Sequence, residues 1–179
     1  LVVVAKTYEA YYDLLLQMNS GVMIRDYVVL CHGHVSPEQD LISAPLYWAE
    51  GTHLPTLVRS YGRPAQTRVK VLAHCYQQAQ PLSVLALQIL TGRRHQIRAH
   101  LAFVGHPLVC DGKYANDHFV QDQKWCPRTF LHRYFLAFAP LNSQLDSDGW
   151  KSPLMEVTVP LPMDLQMVLD QLSPLVLPT

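Results

Sequence analysis

Hydrophobic and polar residues alternate with a period that changes along the chain. The first six residues, "LVVVAK", are a run of β-branched and small apolar residues that predicts a buried strand. Residues 7–21 predict a helix, with Thr7 placed to cap its first turn and Gly21 to end it. The segment "RDYVVLCHG", residues 25–33, then predicts a second strand.

Strand patterns return in the second half of the chain. The segments "QTRVKVLAHCYQ" and "LSVLALQIL" predict two strands joined through "QAQP" as a hairpin. Two further strands are predicted at "FLHRYFLAFAPL" and "LMEVTVPLP", and a terminal helix at "MDLQMVLDQL". Hairpins mixed with separate helices favour an α+β fold, with a mixed, mainly antiparallel sheet flanked by a few helices.

Between these strands lies "TGRRHQIRAHLAFVGHP", which predicts a short helix. Ile97, Leu101 and Val104 follow the spacing i, i+4, i+7 and give that helix one buried face. Gly105 and Pro107 end it. We therefore expect the polar residues at the front of this segment to lie where a strand passes into a helix.

Two stretches lack a clear period. Residues 35–64 are rich in Pro, Gly, Ser and charge, which indicates a long loop or small insertion within a single domain. Residues 111–128 are polar and predict irregular structure.

Composition limits the classes of protein to consider. Of 179 residues, 49% are hydrophobic and 16% charged, which suits one domain with a real core rather than a disordered chain. The formal net charge is zero, so any attraction to nucleic acid has to come from a local patch. Four cysteines without a disulfide or zinc-knuckle pattern predict reduced thiols in an intracellular protein. No apolar run has the length of a membrane span, so we expect no membrane partner.

Cations concentrate in one short stretch of this neutral chain. Five basic residues fall within eight positions: Arg93, Arg94, His95, Arg98 and His100. The first turn of a helix carries unpaired N–H groups and the positive end of the helix dipole, so cations there suit phosphate or carboxylate. Arg98 borders the buried face and needs an acidic partner. The alternative is a solvated basic turn with Arg98 in an ordinary salt bridge.

Other reactive patterns are weak. The segment "CHGH", residues 31–34, lacks the second ligand pair of a zinc site. His95 and His100 are five residues apart rather than four, so they do not form the paired histidines of a zinc protease helix. No nucleophile elbow, phosphate-binding loop or dinucleotide fingerprint occurs. We therefore expect neither a metal nor a cofactor.

The stretch "LTGRRHQIRAHLAFVGHPLVCDGKYA", residues 90–115, resembles the signature of the RluA-type RNA pseudouridine synthases. The segments "RDYVVLCHG", "GRPAQT" and "LHRYFLAFAPL" are similar to other segments of the same family. The resemblance covers nearly the whole chain. It implies that residues 1–179 are the C-terminal, larger part of one pseudouridine synthase catalytic domain.

The resemblance implies that uridine in tRNA or rRNA is isomerised to pseudouridine without a cofactor. An essential aspartate attacks the nucleoside or promotes glycosidic cleavage, on a nucleotide flipped out of the RNA fold. Tyr27 matches the tyrosine that packs against the base and is proposed to move the proton from carbon. Arg98 matches the arginine that pairs with the catalytic aspartate. Without the resemblance, Tyr27 is interpreted as a strand tyrosine packing on the core.

The resemblance also implies a set of RNA-binding residues around the signature. This set is Arg93, Arg94, His95, Gln96, His100 and Lys113. The residues at the helix start are expected to support that turn and the RNA phosphates. Asp111 is expected to make a hydrogen bond within its loop, and a plain loop role is the alternative for Lys113.

One departure from the family concerns the nucleophile. The family aspartate belongs to an H-R-L-D motif expected before "LVVVAK", and the 179 residues do not contain it. We expect part of an active isomerase, a truncated gene model of one, or a catalytically inactive RNA-binding relative, such as a subunit of a ribosomal or RNA-processing particle. A small-anion-binding domain without an RNA role is a third alternative. The resemblance also predicts exposed strand edges and self-association of this chain.

Overall fold

The computed structural model describes residues 1–141, 145–146, 149–150 and 153–175. Its helices are α1 (Tyr8–Ser20), α2 (Gln96–Phe103), α3 (Asn116–Asp122) and α4 (Met163–Leu169). Its strands are β1 (Ile24–His32), β2 (Leu41–Ser43), β3 (Leu46–Tyr47), β4 (Leu57–Val58), β5 (Gln66–Gln77), β6 (Gln80–Ile89), β7 (Leu131–Phe138), β8 (Leu145–Asp146), β9 (Gly149–Trp150), β10 (Met155–Thr158) and β11 (Ser173–Pro174).

A seven-stranded sheet organises these elements in the order β10-β7-β1-β6-β5-β11, with β2 also paired to β5. Every pairing among the described strands is antiparallel, which confirms the predicted α+β class. The predicted hairpin is β5–β6. Gln77 lies opposite Gln80 there, and Gln78 takes a positive φ of 54° in the two-residue turn.

The central strand β1 buries both of its faces. Val29 and Cys31 pack in a cluster with Ile97 and Leu101 of α2. Leu30 points the other way, into a cluster that includes residues of α4. Side chains alternate along a strand, so the sheet separates the α2 side from the α4 side. This division decides which residues share a site.

Helix α1 forms as its sequence predicts. The hydroxyl of Thr7 accepts a hydrogen bond from the Ala10 N–H at 3.2 Å, and Gly21 ends the helix with a φ of 78°. The buried Gln17 side chain then joins α1 to the end of β7. Its amide nitrogen donates to the Ala139 carbonyl at 3.0 Å, and its oxygen accepts from the Ala139 N–H at 2.7 Å.

The strand predicted at residues 1–6 is wrong for this structure. These residues pair with no strand in the described part of the chain. Their exposure nevertheless alternates, with Val2 82% exposed and Val3 partly buried. Alternating exposure alone does not make a strand, which also needs a hydrogen-bonding neighbour.

The two aperiodic stretches contain short elements. Residues 35–64 hold β2, β3 and β4, none longer than three residues. Within 111–128 the sequence reasoning missed α3, a seven-residue helix that begins after Ala115 without any side-chain cap. A short helix without a capping residue has little sequence signal. The predicted C-terminal strands and helix correspond to β7, β10 and α4.

Candidate active site

The basic turn before α2 is held together by one buried side chain, Gln96. Its oxygen accepts from the Thr91 hydroxyl at 2.9 Å and from the Arg93 N–H at 3.1 Å. Its nitrogen donates to the Gln66 carbonyl at 2.8 Å and to the Thr67 hydroxyl at 3.1 Å. Gln96 therefore fixes the turn to β5. It contacts the protein interior and leaves no surface for RNA, which does not support the RNA-binding role predicted for it.

His100 is also turned inward, because α2 presents it to the sheet. It is fully buried. Its Nε2 lies 2.9 Å from the Ala44 carbonyl and its Nδ1 lies 2.9 Å from the Thr67 hydroxyl. The carbonyl can only accept, so Nε2 carries the hydrogen and Nδ1 accepts from Thr67. Burial lowers the pKa of His100. This geometry gives His100 a packing role and does not support the RNA contact predicted for it.

Three cations of the predicted RNA-binding set remain at the surface. Arg93 Nε donates to the Pro64 carbonyl at 3.1 Å, and Arg94 Nη2 donates to the Thr52 carbonyl at 2.9 Å. Lys113 Nζ donates to the carbonyl of His53 at 2.8 Å. The two arginine bonds attach residues 52–64 to the basic turn, and the lysine bond attaches the same segment to the loop after α2. Carbonyl partners do not neutralise the cations, so each retains its charge for an anionic ligand.

Arg98 has an acidic partner, and that partner is Asp111. Arg98 Nε and Nη2 donate to the two carboxylate oxygens at 2.7 and 2.5 Å. Asp111 has 0% exposure and also accepts from the N–H groups of Lys113 and Tyr114 at 3.0 and 3.2 Å. The bond to Asp111 raises the pKa of Arg98. The resemblance predicts a different aspartate as partner of Arg98, whereas here two of its three guanidinium nitrogens donate to Asp111.

Tyr114 connects this ion pair to His95. The guanidinium carbon of Arg98 lies 5.0 Å from the centroid of the Tyr114 ring. The Tyr114 hydroxyl accepts from the Thr56 N–H at 2.7 Å and lies 3.0 Å from His95 Nδ1, to which it can donate. Burial, with Arg98, Arg94 and Lys113 nearby, lowers the pKa of His95. His95 is therefore a neutral member of the basic turn at pH 7.

Tyr27 lies in a separate cavity of about 240 Å³ between α1, β1 and β7. The cavity is lined by Val3, Ala5, Tyr11, Leu14, Leu15, Met18, Met23, Arg25, Tyr27 and Arg133. Arg133 lies directly opposite Tyr27 in the β1–β7 register, with its guanidinium carbon 6.0 Å from the ring centroid. Arg98 is not among the lining residues, so the structure does not bring the two predicted catalytic residues into one cavity.

The basic turn nevertheless adjoins the Tyr27 cavity through Gly92. A Cβ atom at Gly92 would lie 2.8 Å from Arg25 Nη1 and 3.3 Å from Met18 Sδ. The absence of a side chain lets the turn lie directly against two residues of the cavity wall. Tyr27 and the surface cations are therefore neighbouring parts of one region.

Sequence reasoning missed Arg25 and Arg133. Arg25 stands two residues before Tyr27 on β1, so strand alternation alone places it on the same face. Arg133 could be found only from the pairing of β1 with β7, which joins residues more than a hundred positions apart. Both contribute a positive charge to the cavity.

Metal and membrane features are absent from the described residues. No group of three His, Cys, Asp or Glu side chains in that part of the chain is placed to hold a metal ion. In the "CHGH" segment, His32 Nε2 lies 2.9 Å from Asp122, and His34 stacks on His74. Among the described helices, none is both long and apolar enough to cross a bilayer.

Comparison with known proteins decides the family. A model of the family described as RNA pseudouridylate synthase matches residues 1–103, more than half of the chain. This chain belongs to the RNA pseudouridylate synthase family. An uncharacterized RNA pseudouridine synthase of Chloroflexus aurantiacus is 34% identical over 173 residues, which are 97% of this chain and 50% of that protein.

Relatives further define the branch of the RNA pseudouridylate synthase family. The dual-specificity RNA pseudouridine synthase RluA of Escherichia coli O157:H7 is 33% identical over 137 residues, covering 75% of this chain and 59% of that protein. The predicted RluA-type family is thereby confirmed. The chain spans about half the length of the curated relatives that it matches.

Solved structures agree with this membership of the RNA pseudouridylate synthase family. The human protein RNA Pseudouridylate Synthase Domain Containing 1 superimposes with a TM-score of 0.70 and 27% identity, covering 98% of this chain and 69% of that chain. Human RNA Pseudouridylate Synthase Domain Containing 4 superimposes with a TM-score of 0.64 at 16% identity, which supports the fold alone.

Proposed function

We propose that this chain is the larger part of a catalytic domain that isomerises uridine to pseudouridine in tRNA or rRNA. The observation that carries the proposal is the Tyr27 cavity, which holds an aromatic side chain next to the basic turn. The essential aspartate belongs to an H-R-L-D motif that the 179 residues lack, so the proposal concerns a domain that includes this motif.

In this proposal the Tyr27 cavity binds the base, and the surface around the basic turn binds the RNA phosphates. Tyr27 presents its ring to the cavity, where a flipped-out uracil can stack against it. Arg93, Arg94 and Lys113 hold positive charge on the adjoining surface, where the phosphates on either side of the extruded nucleotide would lie. The carbonyl bonds of these cations orient them without neutralising them.

In this proposal Arg98 is a positioning residue. Its ion pair with the buried Asp111 fixes the start of α2 against the loop that carries Lys113 and Tyr114. Through Tyr114 it also orders His95 in the basic turn. Gln96 and His100 act from the interior and make no RNA contact in the proposed complex.

Release of tritium from RNA labelled at C5 of uridine tests the isomerase, because the C5 hydrogen is lost when the base is rejoined through carbon. The form of the protein that carries the H-R-L-D motif is assayed on bulk tRNA and rRNA. We expect Tyr27→Phe to lower release by about a hundredfold or more if its hydroxyl moves a proton. The control is Tyr61→Phe, since Tyr61 is exposed and lies outside the Tyr27 cavity.

Two results would contradict this proposal. Equal release by the parent protein and Tyr27→Phe would remove Tyr27 from the chemistry. No release by the parent protein, with RNA binding intact, would make the chain an inactive RNA-binding relative.

Salt dependence of RNA binding tests the proposed phosphate surface. Each phosphate contact that is lost should reduce the slope of log K against log salt by about 0.7–0.9. We expect Arg93→Ala, Arg94→Ala and Lys113→Ala each to do so, and Lys70→Ala to leave the slope unchanged. Lys70 lies on the face of the sheet that points away from α2, because its neighbour Val69 packs toward α2 and side chains alternate along a strand. A slope unaffected by all four changes would place the RNA elsewhere.

A further inference from the structure

Two guanidinium groups face the Tyr27 cavity, and neither has an acidic partner in the described part of the chain. Arg25 is only 3% exposed, its Nε has no hydrogen-bond partner among the described residues, and its Nη2 reaches the Ile89 carbonyl only at 3.5 Å. The Nε of Arg133 is likewise buried without a partner, while its Nη2 donates to the Leu1 carbonyl. Among the residues that the structure describes, no Asp or Glu lines the cavity.

Such an arrangement opposes folding. A buried cation without a partner loses its hydration and gains no ion pair in return. Burial lowers the pKa of Arg25; the neighbouring Tyr27 opposes this lowering, and the like charge of Arg133 adds to it. Groups that destabilise the fold in this way are typical of sites that bind a ligand of opposite charge.

The remaining walls define the shape of that ligand. The thioethers of Met18 and Met23 and the ring of Tyr27 are apolar surfaces suited to the face of a flat ring. A cavity of about 240 Å³ admits one ring rather than a run of sugar-phosphate backbone. The ligand that fits is a planar heterocycle that carries negative charge in its plane.

We propose that Arg25 is a further catalytic residue, which stabilises the uracil ring as a monoanion while it is detached from ribose. Arg133 supports it from the opposite strand. This inference rests on the proposed function and deepens it. A fixed, buried cation acts on charge that develops during the reaction, where its effect is largest.

The charges balance along the reaction. When the glycosidic bond breaks, its electron pair stays on N1 of uracil, and C1′ of ribose is received by the carboxylate of the family aspartate. The uracil monoanion lies against Arg25 while it turns. Its C5 then forms the bond to C1′, the carboxylate leaves, the C5 proton passes to a base, and N1 takes up a proton. Arg25 itself gains and loses no proton.

Binding of two pyrimidines at neutral pH tests the charge preference without requiring turnover. Unsubstituted barbiturate is a planar pyrimidine monoanion, and uracil is its neutral counterpart. Titration of each into the protein is followed by NMR. We expect barbiturate to bind on the order of tenfold more tightly than uracil, which corresponds to one favourable charge interaction.

Variants assign that preference to Arg25. Arg25→Met should abolish the preference for barbiturate over uracil, and Arg25→Lys should retain part of that preference. Arg68→Met should leave the preference intact. Arg68 is the matched control because it lies with Asp26 and Gln88 in a groove on the opposite face of the sheet. Equal affinity for barbiturate and uracil, or an unchanged preference in Arg25→Met, would overturn the proposal. So would an affinity for inorganic phosphate equal to that for barbiturate.

Thermal unfolding separates this role from a structural one. If Arg25 serves a ligand, Arg25→Met removes a buried unpaired charge, and the Tm should stay the same or rise. A large fall in Tm would make Arg25 a structural residue and overturn the proposal.

The assays also distinguish this inference from the proposed function. Anion preference without tritium release would contradict the isomerase and leave the anion site standing. Tritium release without anion preference would contradict Arg25 alone.

Discussion

Asp111 is the residue on which the α2 region depends most. One buried carboxylate accepts from two nitrogens of Arg98 and from two backbone N–H groups, so it joins the helix, its following loop and Tyr114. A carboxylate in that position is tolerated only while its charge is matched. A loss of activity on changing Arg98 can therefore come from the fold as well as from the chemistry.

Replacement of Arg98 by Met should be strongly destabilising. It leaves the Asp111 carboxylate buried without its cation, which typically lowers the free energy of unfolding by about 3–5 kcal/mol. Urea unfolding measures the loss, and adding Asp111→Asn should recover part of it. The control is Arg128→Met, which breaks the solvent-exposed pair with Asp164 and should change much less. Similar losses in the free energy of unfolding in both variants would show that burial of Asp111 does not strengthen its ion pair with Arg98.

The buried His100 should make stability depend on pH. Burial lowers its pKa below the ordinary value of 6.5, and the bond to the Ala44 carbonyl only partly opposes this. Below about pH 6.5 the histidine of the unfolded chain takes up a proton that folded His100 does not. The contribution of His100 to the free energy of unfolding is therefore complete above that pH and is lost as the pH falls below it. His95, whose pKa is also lowered, contributes with the same sign.

Urea unfolding at several pH values measures this dependence. His100→Gln should make the slope below pH 6.5 shallower, because one titrating group is removed. His53→Gln is the control, since that side chain is exposed. A slope that does not change with His100→Gln would contradict this account.

At the scale of elements, Gly92 and Gly62 each allow close packing, but the atoms packed against them differ. A Cβ at Gly92 would meet the flexible ends of Arg25 and Met18, whereas one at Gly62 would lie 2.6–2.8 Å from the backbone of Leu46 in β3. Side-chain ends can move aside, but backbone in a strand cannot move without breaking its pairing.

Alanine substitutions should therefore separate the two positions. We expect Gly62→Ala to lower the free energy of unfolding by about 1–3 kcal/mol through overpacking. Gly92→Ala should change it by less than about 1 kcal/mol but displace Arg25 and weaken the binding of barbiturate. Denaturant unfolding and ligand titration measure the two effects. The opposite ranking of the stabilities would mean that Arg25 and Met18 are as rigid as the strand.

Elements with strong local signals could be predicted from the sequence, and those that depend on distant partners could not. Thr7 and Gly21 bound α1 by themselves, and the spacing of Ile97 and Leu101 is enough to find α2. Residues 1–6 carry strand-forming residues, but no described strand lies beside them to complete a ladder.

The same division holds for the candidate site. The signature located the basic turn, and the need of Arg98 for an acidic partner followed from its place at the edge of the buried face. The identity of that partner depended on the loop that brings Asp111 back against α2. Arg133 became visible only through its strand pairing opposite Tyr27.

At the scale of the molecule, α1 presents an apolar stripe to solvent. Tyr8, Tyr12 and Leu16 follow one another at intervals of four residues, and each is more than half exposed. Val2 and Val4 of the preceding segment are exposed as well. A contiguous apolar surface on a chain with zero net charge favours association, since little charge repulsion opposes contact.

We therefore expect the 179-residue chain to self-associate through α1. Sedimentation velocity over a range of concentrations should give a rising mean mass, and Tyr12→Lys with Leu16→Lys should restore the monomer by placing two charges in the stripe. The matched control is Met163→Lys with Met167→Lys on α4, where two exposed methionines have the same spacing but lie apart from α1. If the unmodified chain is a monomer at every concentration, the stripe is too small to drive association. If both pairs of lysines restore the monomer equally, general charge rather than α1 controls it.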